Sequence, residues 1–220
     1  MNNMKKLLIL LLCAVTLVAA GVFGTLAYFT DSEAVTNTFT VGQVGITLDE
    51  TDVNELGVKD GETRVQSNEY HLLPGYTYTK DPTVHVDAKS EDCYLFVKVE
   101  NGIAAIETKD ATKTIAAQMA ALGWKSVEGV KDLYILAKDP KTDKYAVSKG
   151  AEVVVFNSFT IDGDKVVNGT ADATKGEVSI DDYATAANAG RVITVTAYAV
   201  QKAGFENTAP VDIWNATFGK

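Results

Sequence analysis

Beyond residue 28 the chain repeatedly alternates apolar and polar positions with period two, the pattern of half-buried strands. Val35, Asn37, Phe39 and Val41 fall on one face of the first such segment, with Thr36, Thr38 and Thr40 opposite. After Gly42 the phase shifts and Val44, Ile46 and Leu48 carry the apolar face, so a bulge or bend is expected there. Tyr76, Tyr78, Val84 and Val86 share one parity. Pro82 falls among them and, having no amide hydrogen, predicts an edge position or an interruption. Cys93, Leu95, Val97 and Val99 oppose Tyr94, Phe96, Lys98 and Glu100. Residues 133–138 and 144–148 flank Asp139-Pro140-Lys141-Thr142-Asp143, which reads as a hairpin loop. Residues 153–161 are apolar on both faces, as in a central strand, and end at the turn Asp162-Gly163-Asp164. Residues 192–200 form the last long strand.

Helical spacing is shorter-ranged. Residues 114–122 put Ile115, Met119 and Leu122 on one face, stopped by Gly123. Residues 181–189 are an Ala-rich candidate. Residues 210–218 predict a helix with Thr208 near its cap and with Ile213, Trp214 and Phe218 docking. Residues 50–68 are polar and aperiodic and read as a long loop. Many short strands and few helices predict an all-β fold: a two-sheet antiparallel sandwich with a few short helices. Periodicity does not separate a jelly roll from an immunoglobulin-like arrangement.

The start of the chain differs from all of this. Lys5 and Lys6 precede an apolar run, residues 7–20, followed by small residues, the layout of a signal peptide. Cuts after Ala20 and after Ala27 both suit the side-chain sizes; a retained membrane anchor is the alternative. The expected organisation is a signal peptide over 1–27, an N-terminal strand over 28–41 and a sandwich domain over 42–220. Without Lys5 and Lys6 the basic count falls from 20 to 18 against 29 acidic groups, a net charge of −11. With no basic stripe, nucleic acid is not an expected partner. At 46% hydrophobic the chain has the apolar content for a core. Of the two cysteines, Cys13 lies in the export segment, so Cys93 would be alone in the mature protein and no intrachain disulfide is expected.

The stretch Gly24-Thr25-Leu26-Ala27-Tyr28-Phe29-Thr30-Asp31, followed by Asn37-Thr38-Phe39-Thr40-Val41-Gly42, resembles the start of the TasA and camelysin family. Leu72-Leu73-Pro74-Gly75 and Tyr78-Thr79-Lys80-Asp81-Pro82 resemble a later segment of that family, with Tyr76 in place of its Asp. The resemblance implies export from Firmicutes through a SipW-like signal peptidase, a cut between Ala27 and Tyr28, a jelly-roll topology and a role in biofilm-matrix fibres. It covers about the first hundred residues.

Chemistry-bearing residues are few. His71 precedes a loop, and His85 lies on the Thr-bearing parity of its strand; both read as surface histidines. No H-E-x-x-H run occurs, so the helical zinc-protease site is excluded, and no catalytic residue, metal or cofactor is expected. Cys93 reads as a buried small hydrophobe. Asp49, Glu50 and Asp52, and separately Asp162 and Asp164, are acidic clusters without the twelve-residue calcium-loop pattern, and read as solvated surface. Trp124, Trp214, Tyr76, Tyr78 and Phe96 read as packing residues rather than a sugar platform.

Three functions follow. A secreted structural subunit would self-associate head-to-tail into matrix fibres or a surface layer, with Val35, Asn37, Phe39 and Val41 as a donor strand added to a neighbour's sheet edge. A camelysin-like cell-surface metalloprotease and a monomeric secreted binding module are the alternatives. The first is favoured by the absence of a catalytic constellation and by a strand-like segment ahead of the sandwich. It needs no small-molecule substrate.

Overall fold

The structure, a computed structural model, describes residues 44–137, 145–180 and 192–219. All lie within the compact unit Gly42–Lys220. In chain order the strands are β1 (Ile46–Val53), β2 (Lys59–Val65), β3 (Thr77–Thr79), β4 (Thr83–Val86) and β5 (Cys93–Asn101). Helix α1 (Ile115–Ala121) leads into β6 (Trp124–Ser126), β7 (Leu133–Leu136) and β8 (Ala146–Val147). Then come β9 (Glu152–Val154), β10 (Ser158–Thr160), β11 (Val166–Val167), β12 (Val178–Ser179), β13 (Ile193–Gln201) and helix α2 (Pro210–Thr217). The fold is all-β, as the alternation predicts.

Two sheets dominate. One has the order β2-β1-β4-β9; the other runs β13-β5-β7-β6, with β8 also pairing β5. Every pairing in both is antiparallel. Strand β5 is central and apolar on both faces because each face packs something. Cys93, Leu95, Val97 and Val99 join the main core with Val84 and Val86 of the other sheet. Tyr94 and Phe96 join a second cluster with Ile213 of α2, where Trp214 and Phe218 also dock. The tail helix thus forms as its spacing predicts, although Ala209 at its cap makes no side-chain hydrogen bond.

Helix α1 begins at Thr114, whose hydroxyl accepts from the Ala117 amide, and ends before Gly123 at φ +94°. Ile115 and Met119 are buried as expected, but Leu122, just past the last turn, is exposed. Pro82 acts as an interruption and not as an edge marker: it separates β3 from β4, and β4 lies inside its sheet. The opposing chain breaks in the same place, so β9 and β10 replace the single central strand expected over 153–161. Lys80 N–H to Asn157 O and Val155 N–H to Pro82 O carry the pairing across this kink.

Two further expectations are corrected. The supposed loop over 50–68 is the β1–β2 hairpin, which escapes a periodicity test because β2 is exposed on both faces. The supposed hairpin around residues 139–143 is absent as a pairing: β7 and β8 both pair β5, on Phe96–Lys98 and Cys93–Tyr94. Residues 35–41, 139–143 and 181–189 lie outside the described residues. The turn at Asp162-Gly163-Asp164 is present, with Asp162 Oδ1 accepting from the amides of Asp164 and Lys165.

Candidate functional site

Each sheet ends in edge strands, and an edge offers unpaired backbone groups to another chain unless something blocks it. Among the described residues three of the four edges are blocked. Strand β2 has Lys59, Asp60, Glu62 and Arg64 along it and Gly61 at φ +78° in its middle. Strand β6 has three residues and includes the exposed Lys125. Beside β9 and β10, side chains substitute for a strand. Trp124 Nε1 donates to Val154 O at 3.0 Å. Gln118 Oε1 accepts from the amides of Asn157 and Ser158 at 3.1 Å each, while its Nε2 donates to Ser158 O at 2.9 Å. Farther on, Thr108 N–H donates to Thr160 O and Glu107 bridges Ile161.

The fourth edge, β13, is nine residues long and has neither proline nor charge. Among the described residues it pairs with β5 alone. Ile193, Val195, Ala197 and Ala199 face the main core yet are only half-buried, as are Val44, Ile46 and Leu48 on the other side of the sandwich. Val192, just before the strand, is 61% exposed. A cleft of about 420 Å³ opens here between Leu48 and Glu50 on one wall and Ile193 and Val195 on the other. This apolar row is open where a further strand would close it.

The floor of the cleft is polar. Glu50 shares the inward parity of Ile46 and Leu48 and is 4% exposed. Its carboxylate accepts from Lys80 Nζ at 2.5 Å and from Asn68 Nδ2 at 2.9 Å. Lys80 also lies over the Tyr70 ring, 5.8 Å from its centroid. The reading of Asp49, Glu50 and Asp52 as one solvated cluster is therefore corrected. Glu50 points inward, while Asp49 belongs to a network on the opposite face of β1. The sequence carried a usable signal, because Glu50 continues the alternation of Val44, Ile46 and Leu48.

That outer network draws on every strand of the four-stranded sheet, with Asp81 just ahead of β4. Arg64 Nε donates to Asp49 Oδ1, which also contacts His85 Nε2 at 2.9 Å, and His85 Nδ1 lies 3.4 Å from Glu152 Oε1. Arg64 Nη1 reaches Asp81 Oδ2 at 3.1 Å, and the Thr51 amide and hydroxyl donate to the same Asp81 carboxylate. Burial pushes both carboxyls up. The hydrogen bonds from Arg64 and His85 at Asp49, and from Thr51 and Arg64 at Asp81, outweigh it and hold both below the ordinary carboxylate value. His85 is thus tied on both ring nitrogens, more constrained than a surface histidine.

His71 lies in the loop as expected, its carbonyl accepting from the Tyr78 hydroxyl at 2.7 Å. The same hydroxyl accepts from the Leu73 amide, and Gly75 N–H reaches Ile161 O. A Cβ on Gly163 would come within 2.9 Å of the Gly75 Cα, so these turns touch backbone to backbone. The Leu72-Leu73-Pro74-Gly75 run is a packing device. Cys93 is buried, with its thiol pushed up to about 11 by burial and by Asp92. Ala27, Tyr28, Val35, Asn37, Phe39 and Val41 lie outside the described residues.

The described residues define an all-β sandwich with one open edge. The family model for the camelysin metallo-endopeptidases matches residues 3–72, about a third of the chain, which covers the N-terminal motif and the β1–β2 hairpin. No curated protein and no solved structure matches. The family's description implies a metal, and the described residues do not fit one. Among the described residues no group of three or more His, Cys, Asp or Glu side chains is placed to hold an ion. Of the best donors, His85 and Asp49, Asp49 already holds the Arg64 guanidinium, which opposes a second cation. No helix among the described residues is long and apolar enough to cross a membrane.

Proposed function

We propose that the mature chain is an exported structural subunit that assembles head-to-tail into extracellular matrix fibres or a surface layer. Residues 35–41 of one copy add to the β13 edge of the next. The open edge of β13 carries this reading: it is long, uncharged and flanked by a half-buried apolar row, while the other edges are blocked. Strand addition uses main-chain hydrogen bonds for affinity and side-chain pockets for specificity. A contact of this kind does not close, so it propagates. The resemblance at the N-terminus supports export with a SipW-like peptidase, cutting between Ala27 and Tyr28.

Deleting residues 28–41 tests the reading. The truncated protein is expected to stay folded by circular dichroism and to run as a monomer on a sizing column. Phe39→Asp is expected to act likewise, because a charge in an apolar groove costs several kcal/mol, roughly, unless it is paired. Truncated protein that still forms filaments would overturn the proposal. Loss of the fold would instead make the segment the subunit's own first strand.

The matched family favours a second reading, a cell-surface peptidase. Casein hydrolysis abolished by a chelator and by the joint replacement of His71 and His85 with Ala would establish it.

A further inference from the structure

The cleft beside β13 combines an apolar wall with one polar end, and the candidate donor row has a matching irregularity. Along β1 the inward positions are Ile46, Leu48 and then Glu50, so the polar end lies beside the start of β13, near Ile193. Toward the end of β13 the inward residues become Ala197 and Ala199, whose small side chains leave room for a larger partner. The Lys80 ammonium has three N–H groups. Among the described residues its side-chain partners are the Glu50 carboxylate and the Tyr70 ring. Donor capacity therefore remains in a site that is nine-tenths buried.

The row Val35, Asn37, Phe39, Val41 has one polar member, in second place. Burying an amide against hydrocarbon without a partner is costly, so Asn37 belongs where hydrogen-bonding groups already are. Its place in the row also sets the strand's direction. With Asn37 beside Ile193 and the strand parallel to β13, Phe39 and Val41 run along Val195 and Ala197. Reversed about the same point, Phe39 and Val41 fall beyond the start of β13 and only Val35 meets the apolar wall.

We infer that Asn37 of the incoming copy occupies the polar end of this cleft, its amide oxygen toward Lys80, and so fixes both register and direction: parallel to β13, with Asn37 beside Ile193. This rests on the strand-exchange reading above and adds a register to it. The polar contact rejects slipped registers, since a shift of two residues puts Phe39 or Val35 over the ion pair and takes the Asn37 amide away from it.

Paired cysteines in the full mature chain test it. Cys93 is buried and does not compete. In the inferred register Thr40 lies beside Thr196, so T40C/T196C is expected to give an intermolecular disulfide ladder under mild oxidation, read on a non-reducing gel. The reversed strand would bring Thr38 beside Val192, so T38C/V192C is expected to stay uncross-linked. Adding Asn37→Leu should lower the T40C/T196C yield about tenfold, the effect of losing one hydrogen bond to a charged group. Fibres that cross-link through T38C/V192C, or through neither pair, overturn the inference. A T40C/T196C disulfide within one chain would instead overturn the exchange between copies while leaving the register in place.

Discussion

Gln118 in helix α1 hydrogen-bonds both backbone groups of Ser158, accepting from its amide at 3.1 Å and donating to its carbonyl at 2.9 Å. A primary amide carries the same donor and acceptor as a peptide unit, so this side chain stands in for one residue of a missing strand. Gln118→Ala leaves those groups without the partner and is expected to cost about 1–2 kcal/mol, water at the half-buried site recovering part of it. Urea unfolding measures the loss. A midpoint within error of the wild type would show that the edge needs no such partner.

Asp49 and Asp81 make the stability depend on acid. Both are held below the ordinary carboxylate value, so their stabilisation is fully present above the unfolded-chain pKa, about 4. It is lost as pH falls through the lower, folded values. Arg64→Ala removes a shared cause of both depressions and should move acid unfolding to higher pH, while costing less at pH 7 than a buried ion pair because the network is partly exposed. Circular dichroism from pH 7 to pH 2 checks it; superimposable curves would count against the network.

Cys93 should be inert in the folded protein. With its thiol pushed up to about 11, only about one part in a thousand is thiolate at pH 8, and the strand buries it. Reaction with a disulfide reagent is expected at the rate of global opening and should accelerate steeply through the urea transition. Immediate stoichiometric labelling in native buffer would contradict the core placement.

Assembly should quicken with salt and with mild acid. Cut after Ala27, the subunits would carry a net charge of −11 and repel one another at low ionic strength, and the Debye length falls from ~10 Å at 0.1 M salt to ~3 Å at 1 M. Protonating carboxylates toward pH 4–5, roughly, lowers the same barrier. Light scattering across both series is the measurement, and flat series would show that charge does not limit the rate.

Most of the sandwich was legible in the sequence because most of its strands have one buried face. Ile46 and Leu48 alternated with Thr47 and Asp49, and Pro82 marked the kink. Strand β2 was illegible: Lys59, Asp60 and Glu62 are exposed on both faces, so nothing alternates, and its pairing comes from β1 and from Arg64 reaching Asp49 and Asp81. Pairing partners were illegible too, since no local pattern says that β8 extends β7's side of β5 and does not fold back on β7. At the candidate site the proposed donor row could be read but its proposed acceptor could not. The open edge of β13 emerges only when the blocked edges are seen beside it, and Gln118 looked like any polar residue on a helix.

In the proposed assembly, one open edge and one donor strand would give the subunit the chemistry of a difunctional monomer. Each copy would then have one successor and one predecessor, so strand exchange would lengthen a chain and have no means of branching it. Any sideways bundling must then draw on a different kind of contact, and a culture could regulate filament thickness and filament length separately.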